Sequence, residues 1–381
     1  MSKIVQLKMN GTWNIAPLFM VRANQLANEY GEIALLVPNS ILRVGQFSKT
    51  RRFLLDEADM WCIIDEGNPF NDVTLEMVSI FWSNQNDGAT KSIEVVSRRQ
   101  GLEGVHNVPR NACLAGSIFS LYYDDIMKRI QAKGTRGMIR ASRGRDIPSD
   151  HVHDKETSKF TVPYATKGRS VRRYKIENDY LRFTDNWYER DEALRESFAN
   201  EFLIATKNYP YPRCVMKPKG TIHGGGIVRV IPVNEELNMA SIGLILNSRL
   251  VRYLSNRYLT NYAQLTTCLN TGIIEEIPLT VPENQELFAF VYNSLQQAHS
   301  NLGENEDLIN DLETYANTVV YAQYFSKTQV LDQLTENPIW KKGSDLASLQ
   351  QAITHEDIQK LIRSVMENPF VKKIETSPGM N

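Results

Sequence analysis

Two short, unbroken apolar runs constrain the fold of this chain more than any other feature of its sequence. They read IALLVP at residues 33–38 and MWCIID at residues 60–65. Apolar runs of this length, bounded by turn residues, are typical of strands that are buried on both faces of a sheet. A helical apolar pattern over residues 10–30 precedes the first run, and a second helix is predicted to begin at Ser48. Residues 73–82 are rich in β-branched and aromatic side chains and predict a third strand.

The order helix, strand, helix, strand, strand predicts an α/β fold: the back half of a doubly wound sheet, ending in a hairpin. The first βα turn, where a nucleotide-like ligand meets such a sheet, is not found, so we expect the sequence to begin partway through the architecture. Residues 239–259 predict one long helix. Changes of pattern along the chain predict three domains. They are a partial α/β domain with a connector (1–127), an α+β domain of short strands and charged loops (128–282), and a helical C-terminal extension (283–381).

The composition excludes several classes of protein. Hydrophobic residues make up 42% and charged residues 23%, as in ordinary globular proteins, so wholesale disorder is excluded. No apolar run approaches the roughly 18 residues that a membrane-spanning helix needs, and the first residues do not resemble a signal peptide. We therefore expect a cytoplasmic protein without membrane contact. The four cysteines form no C-x-x-C pair, so neither a disulfide framework nor a structural zinc site is expected.

A near-neutral net charge of −1 conceals an uneven distribution. Residues 128–182 carry 15 basic and 6 acidic side chains, whereas residues 283–381 carry 7 basic and 14 acidic ones. Such asymmetry indicates a middle region that binds a polyanion and an acidic tail, or else two ordinary solvated surfaces. The candidate contacts to DNA are the basic residues of two loops: Arg140, Arg143, Arg145, Lys167, Arg169, Arg172 and Arg173.

Four ordered segments of the N-terminal region resemble one family, the γ-type amino-methyltransferases that act on adenine N6 in DNA. The segments are Trp13-Asn14-Ile15 with Phe19, LVPNSIL at 36–42, Ile63-Ile64-Asp65, and Phe70-Asn71-Asp72-Val73-Thr74. The middle of the chain resembles the target-recognition domain of the same family, in ATKGRSVRRYKI…YLRF (165–183) and in GLILNSRLVRYL with LNTGIIEEIPL (243–279). The resemblance spans about residues 10–330.

This resemblance implies a cofactor, a target and roles for particular residues. The cofactor is S-adenosylmethionine, and Phe19, Pro38 and Asn39 lie where the family binds it. The target is adenine in double-stranded DNA, flipped out of the helix, and Phe70 lies where the family stacks an aromatic ring on that base. The alternatives are plain core packing for Phe19 and Phe70, and turn formation for Pro38 and Asn39.

The chain also departs from the family. The F-x-G-x-G-like cofactor turn and the [DNS]-P-P-[YF] loop that holds the adenine amino group are both missing. Asn68-Pro69-Phe70 has a single proline and follows the wrong strand, so we interpret it as a decoy and expect no catalytic residue in this chain. The resemblance then implies the C-terminal part, or a subunit, of a site-specific DNA N6-adenine methyltransferase of a restriction–modification system.

A partner must complete such a protein. We expect a second protein chain to supply the cofactor turn and the N-P-P-Y loop, and we expect S-adenosylmethionine to bind only with that chain. The alternatives are a non-enzymatic DNA-binding specificity subunit, a truncated remnant of a restriction–modification protein, and, third, a nuclease subunit with unrecognised carboxylates.

Two further segments resemble a metal site and a phosphate-binding loop, but neither has the required pattern. His151 and His153 lie in a polar loop that offers no third ligand at a useful spacing, so no metal site is expected. KPKGTIHGGG at residues 217–226 is basic and rich in glycine, but it is not a phosphate-binding P-loop. It predicts a hairpin loop or a loop that faces DNA.

Overall fold

A computed structural model describes most of the chain and divides it into two compact units. The described residues are 15–72, 74–84, 88, 90–115, 117–182, 191–207, 209–265, 268–300, 306–326, 328–335 and 345–380. Trp13, Asn14, Val73 and Phe183 of the predicted motifs lie outside the described residues. The first unit is Met1–Lys128 with Asn256–Thr267, and the second is Arg129–Ser255 with Cys268–Asn381. The helical region after residue 282, predicted as a separate extension, thus groups with the second unit.

The first unit is built on a mixed five-stranded sheet. Its strands are β1 (Glu32–Pro38), β2 (Asp59–Gly67), β3 (Met77–Ser83), β4 (Ser92–Ser97) and β5 (Gly104–Pro109), in the order β1-β3-β2-β4-β5. Because β3 is antiparallel to both β1 and β2, those two strands run in the same direction. β4 is parallel to β2, and β5 returns antiparallel to β4. The predicted mixed α/β class is confirmed, while the doubly wound arrangement stays a prediction.

β1 lies at an edge of this sheet and is only half buried. The prediction that both of its faces are buried is wrong: exposed and partly buried residues alternate along most of the strand, and Leu36 is 45% exposed. An apolar run becomes a two-faced core strand only if layers cover both faces. Among the described residues, one face of β1 has no such cover, and no strand pairs with its outer edge.

Short helices and a small hairpin complete the first unit. They are α1 (Ala16–Leu26), α2 (Ser48–Arg52), α3 (Arg110–Cys113), β6 (Leu114–Ala115), β7 (Ile118–Phe119) and the start of α4 (Asp125–Lys133). The core joins Met20 of α1 to Ile63, Ile80 and Trp82 of the sheet.

The returning segment Asn256–Thr267 is fastened to the first unit by Asn261. Its side-chain Oδ1 accepts from the Leu121 amide at 2.8 Å, and its Nδ2 donates to the Phe119 carbonyl at 2.8 Å. Asn261 has a φ of 51°, and asparagine tolerates this left-handed backbone better than most residues. The segment is therefore an integral part of the first unit.

The second unit contains two four-stranded sheets and one small hairpin. The strands are β8 (Ile139–Arg143), β9 (Val152–His153), β10 (Val162–Ala165), β11 (Val171–Arg172), β12 (Lys175–Ile176), β13 (Asp179–Leu181), β14 (Phe202–Thr206), β15 (Cys214–Lys217), β16 (Ile222–His223) and β17 (Ile227–Pro232). One sheet has the order β15-β14-β17-β8 and is antiparallel throughout, the other has the order β16-β10-β13-β9, and β11 pairs with β12.

Helices surround these sheets and make up the rest of the unit. They are α5 (Glu192–Ala199), α6 (Met239–Asn247), α7 (Arg249–Leu254), α8 (Thr271–Glu275), α9 (Gln285–Ser300), α10 (Glu306–Phe325), α11 (Thr328–Thr335), α12 (Leu346–Ile353), α13 (Glu356–Met366) and α14 (Pro369–Glu375). The single helix predicted over residues 239–259 breaks at Ser248. Ser248 adopts an extended backbone, and its hydroxyl accepts from the Val251 amide as the N-cap of α7.

Candidate nucleic-acid interface

Basic residues of the second unit lie on two segments that a run of three glycines joins. One segment is the end of β8 with the residues that follow it and carries Arg143 and Arg145, and the other is the turn that carries Lys167 and Arg169. Gly224–Gly226 lies between them: the Gly224 amide donates to the Ala165 carbonyl at 2.8 Å, and Arg143 Nε donates to the Gly225 carbonyl at 2.8 Å. We call the exposed residues Arg143, Arg145, Lys167, Arg169 and Arg172 the basic surface.

Side chains are excluded where these segments meet. A Cβ atom on Gly144 would lie 2.6 Å from the carbonyl oxygens of both His223 and Gly224, closer than real Cβ atoms come. Only glycine allows the two backbones to approach this closely. The glycine-rich loop predicted as a hairpin or DNA-facing element thus has a definite part in building the basic surface.

Lys217 anchors the start of that loop from within the unit. Its ammonium group is fully buried and donates to the carbonyls of Ser197, Asn200, Pro218 and Thr221 at 2.7–2.9 Å. Burial lowers the Lys217 pKa to about 8, so the group is still charged at neutral pH. The four carbonyls hold the chain on both sides of the lysine in one arrangement.

The ion pairs of the basic surface are weak and exchangeable. Arg143 pairs with Asp146 at 2.5 Å, Arg145 with Asp191 at 2.8 Å, and Arg172 with Glu177 at 3.0 Å, and each arginine is more than half exposed. Exposed pairs of this kind contribute about 0–1 kcal/mol, so a phosphate group can replace the carboxylate at little cost.

Three of the predicted contacts have no ion pair among the described residues. They are Arg140, Lys167 and Arg169. Lys167 and Arg169 belong to the basic surface. Arg140 lies three residues before Arg143 on β8 and therefore points to the opposite face of the strand.

Arg173 is held inside the second unit. It is half buried, and its guanidinium pairs with Glu313 at 2.7 Å and donates to the Asn247 carbonyl at 3.5 Å. Burial raises the pKa of Glu313, but His299 and Arg173 outweigh burial, so that pKa lies below its ordinary value. A role for Arg173 at DNA, like the roles of the other six residues, stays a prediction.

In the first unit, the predicted cofactor and base residues leave the sheet at one end. Pro38 of β1 and Gly67 of β2 are both paired with Met77 of the intervening β3. Adjacent strands are about 4.8 Å apart, which places Pro38 and Gly67 about 10 Å from each other. Asn39 directly follows Pro38, and Phe70 lies three residues after Gly67. Both therefore come after the carboxyl ends of two strands that run in the same direction, where open α/β sheets bind ligands.

The predicted cofactor and base side chains differ in exposure. Phe19 on α1 is 59% exposed and Phe70 is 45% exposed, which does not favour the core-packing alternative for either ring. Asn39 is only 2% exposed. Its Oδ1 accepts from Arg43 at 2.9 Å, whereas its Nδ2 has no hydrogen-bond partner among the described residues. A buried donor without a partner is costly, and a bound ligand is one way to satisfy it.

A buried ionic network supports the same end of the sheet. Arg99 binds Asp65 through two hydrogen bonds of 3.0 Å and Glu76 through one of 2.6 Å, and the Tyr122 hydroxyl donates to Asp65 at 2.9 Å. Glu76 also accepts from the backbone amide of Gln264 at 2.9 Å. Burial raises the Glu76 pKa, but these partners outweigh burial and lower it overall.

Neither metal binding nor membrane insertion is indicated by the described part of the chain. No group of three or more potential ligands comes together there. Each imidazole Nδ1 of His151 and His153 faces a backbone carbonyl, of Arg182 and Lys155 respectively. No helix in the described ranges is both long enough and apolar enough to cross a membrane.

Comparison with known proteins gives similarity of fold only. No protein-family model and no curated protein sequence matches this chain. Among solved structures, the Type IIL restriction-modification enzyme MmeI in complex with DNA is similar over 92% of this chain and 53% of its own, with 11% identity and a TM-score of 0.50. The type IIG restriction endonuclease BpuSI matches over 96% and 51%, with 12% identity and a TM-score of 0.33. A DrdV–DNA complex matches over 77% and 41%, with 10% identity and a TM-score of 0.41.

The chain thus spans about half the length of the first two of these enzymes. At 11% identity, what this chain shares with MmeI is a fold.

Proposed function

We propose that this chain is a DNA-binding part of a restriction–modification protein. The observation that carries the proposal is the basic surface, because the Gly224–Gly226 segment fixes two separate basic segments side by side. The fold shared with MmeI, whose structure contains DNA, supports the same conclusion.

The chemistry of this surface suits the DNA backbone. A basic side chain that neutralises a phosphate releases condensed counterions, which makes the affinity depend on salt. Arginines in addition read guanine edges through two parallel hydrogen bonds, worth about 1–3 kcal/mol for each good pair. Lys167 and Arg169, which have no ion pair among the described residues, are ready to bind without first breaking one.

A salt titration with duplex DNA tests this proposal. We expect log K of the parent chain to fall linearly with log salt, and the K167A/R169A double variant to reduce the slope by about 1.8 if both side chains contact phosphates. The control is R363A/K372A, which removes two exposed basic residues of the same unit from α13 and α14. The proposal is contradicted if the DNA affinity of the parent chain does not depend on salt. It is also contradicted if the control variant reduces the slope of log K against log salt as much as K167A/R169A does.

We further propose that the first unit contributes part of the methyl-donor and base pocket of a DNA N6-adenine methyltransferase. S-adenosylmethionine supplies the methyl group when bound. The residues present fit part of such a site: Phe19 offers an exposed ring, Pro38 ends the strand, and Asn39 offers a donor that has no partner in the described part of the chain. The exposure of Phe70 after β2 supports a role for its ring in covering a flipped adenine.

Another polypeptide is needed for this second proposal, since the cofactor turn and the N-P-P-Y loop are absent from the sequence. Ile15, Phe19 and Leu26 are each more than half exposed on or beside α1, and β1 has an outer edge without a partner strand among the described residues. Exposed apolar side chains and open strand edges are surfaces that other polypeptides cover.

An activity assay distinguishes this proposal from its alternative. With tritiated S-adenosylmethionine and varied duplexes, we expect no labelling by the purified chain alone and labelling after a complementing chain is added. Labelling of adenine by the chain alone would overturn the need for a partner. The alternative, a non-enzymatic DNA-binding specificity subunit, predicts DNA binding without labelling under either condition.

A further inference from the structure

We propose that Arg213, presented by the loop over residues 209–213, binds a phosphate of the nucleic-acid backbone at a second site, adjacent to the basic surface. The inference rests on the proposed DNA binding and extends it to residues outside the basic region 128–182. Its basis is a stacked arginine in a rigid loop, within a cluster of like charges.

Residues 209–213, between β14 and β15, read Tyr-Pro-Tyr-Pro-Arg, and two prolines restrict their backbone. Each proline fixes its own φ near −65° and restricts the residue before it, so little conformational entropy remains to be lost on binding. Arg213 closes the loop: its amide donates to the Thr206 hydroxyl at 3.2 Å, and its carbonyl accepts from the Thr206 amide at 3.1 Å.

The Arg213 guanidinium lies over an aromatic ring. Its Cζ atom is 3.7 Å from the ring centre of Tyr209. A guanidinium that is stacked in this way keeps its N–H groups at the rim of the plane, and that fork matches two oxygens of a phosphate. Stacking therefore orients Arg213 without using the donors that would hold a ligand.

A second arginine approaches the same loop from α7. The Cζ of Arg252 is 4.8 Å from the ring centre of Tyr211, and the Cζ of Arg213 is 5.7 Å from that centre. Burial lowers the Arg252 pKa; the Tyr211 hydroxyl opposes this, and the nearby charges of Arg249, Arg173 and Arg213 lower it further. Several guanidinium groups thus converge at this place.

Carboxylates neutralise part of this cluster but not Arg213. Glu313 pairs with Arg173, and Glu375 pairs with Arg249 at 2.7 Å. Within the described ranges, Arg213 has no carboxylate partner. Like charges that are held together repel one another, and a bound anion relieves that repulsion.

The cluster is continuous with the basic surface. The Tyr174 amide donates to the Cys214 carbonyl at 3.1 Å, which places the residues before them, Arg173 and Arg213, on adjacent segments. Arg172 and Arg173 are consecutive in the chain; Arg172 is exposed on the basic surface, whereas Arg173 points to Glu313 in the cluster. Because these segments are adjacent, one polyanion is long enough to reach both groups of basic side chains, which favours a backbone phosphate over a free anion.

Duplex DNA binding, measured by fluorescence anisotropy at several salt concentrations, tests the inference. We expect R213Q to reduce the slope of log K against log salt by about 0.9, which makes its affinity loss differ about 3.5-fold between 50 and 200 mM salt. R363Q removes an exposed charge of the same unit and should leave the slope unchanged. Y209A should weaken binding because it removes the stack, whereas Y209F should not.

A second readout separates this inference from the proposed function. Inorganic phosphate should raise the melting temperature of the parent chain more than that of R213Q. If the parent binds duplex and R213Q retains the parent slope, the inference is overturned while the proposed function stands. If the parent does not bind duplex, the proposed function fails, and an equal response of parent and R213Q to phosphate then overturns the phosphate site as well.

Discussion

Among the cations that the two units bury, Arg99 and Lys217 are stabilised by opposite kinds of partner. Arg99 of the first unit, 6% exposed, is bound by the carboxylates of Asp65 and Glu76. Lys217 of the second unit is bound by four neutral carbonyls and lies 4.6 Å from the ring centre of Phe202. Ionised acids stabilise the first cation, whereas oriented peptide dipoles stabilise the second. A buried cation is thus stabilised either by carboxylates, which titrate in acid, or by carbonyls, which do not titrate.

Buried cysteines make the comparison measurable unit by unit. Cys62 and Cys113 are buried in the first unit and Cys214 in the second. A disulfide reagent that reacts in acid, such as dithiodipyridine, labels each thiol only when its surroundings open. Mass spectrometry then assigns unfolding to one unit or the other, which a single melting curve of a multi-unit protein does not.

The largest effect is expected for R99M. The substitution leaves two buried carboxylates without their cation, which costs about 3–5 kcal/mol of unfolding free energy. The urea concentration at which Cys62 and Cys113 become labelled should fall accordingly. The concentration at which Cys214 becomes labelled should not change. The matched control is R98M, because the neighbouring Arg98 is 61% exposed and pairs with Glu66 at the surface. Equal shifts for R99M and R98M would mean that the network does not stabilise the first unit.

A smaller effect is expected for K217M. The substitution keeps an unbranched apolar side chain but leaves four carbonyls without their donor, and an unsatisfied buried polar group costs about 1–3 kcal/mol. Only Cys214 labelling should change. K219M, at an exposed position two residues away, is the control. A K217M protein as stable as K219M would show that the carbonyls find other donors.

Acid should open the second unit before the first. Burial, with the charges of Lys217 and Arg229, lowers the His223 pKa from 6.5 to about 3. Because the unfolded chain binds a proton that the folded chain does not, the stability that His223 confers is full above pH 6.5. Below pH 6.5 this stability falls by at most about 1.4 kcal/mol for each pH unit. Because the Glu76 pKa is lowered in the folded chain, the first unit loses the stability that Glu76 confers only when the pH falls below the ordinary pKa of 4.5.

As the pH falls, Cys214 should therefore become reactive before Cys62 and Cys113. H223Q should reduce the dependence of Cys214 labelling on pH. K217M should narrow the pH range over which that labelling changes, because it removes one of the charges that lower the His223 pKa. If the thiols of the first unit react first, the assignment of acid sensitivity to His223 is wrong.

The smallest change in stability is expected for F70A. A side chain that is 45% exposed is not a core residue, so we expect a loss of less than about 1 kcal/mol rather than the 3–5 kcal/mol of a core Phe→Ala. In a complemented enzyme, loss of a base stack worth about 1–3 kcal/mol lowers turnover about 5- to 150-fold. F70Y should retain most activity. Turnover that is unchanged per folded molecule would exclude the stacking role.

The local sequence pattern predicted the positions of the strands better than it predicted which of their faces are buried. Both apolar runs are strands, as the sequence indicates, but the burial of β1 depends on whether another layer covers it, and IALLVP carries no information about that layer. The helix predicted over residues 239–259 breaks at Ser248 because a hydroxyl can cap a new helix, which an apolar pattern does not register.

The candidate sites were predictable only in part, for a similar reason. Basic composition pointed to residues 128–182, yet Arg213 lies outside that range, and one arginine among tyrosines and prolines does not mark a basic region. That it lies over the Tyr209 ring is known only from the structure. Arg99 meets partners 23 and 34 residues away, a spacing that has no helical or strand period. The three glycines were visible as a loop, but their role depends on two other segments that pass within van der Waals distance.

The return of Asn256–Thr267 to the first unit has a consequence for biosynthesis. Glu76 accepts a hydrogen bond from an amide 188 residues later in the chain, and Asn261 closes onto residues more than a hundred positions before it. A ribosome that has made only the first 128 residues has therefore not yet supplied all of the first unit. The last tertiary contacts of the first unit form only after the whole sheet region of the second unit has been made, and contacts of such sequence separation form slowly. Until then, the buried carboxylate of Glu76 lacks its hydrogen bond from the Gln264 amide. A fragment that ends at Lys128 never forms that hydrogen bond.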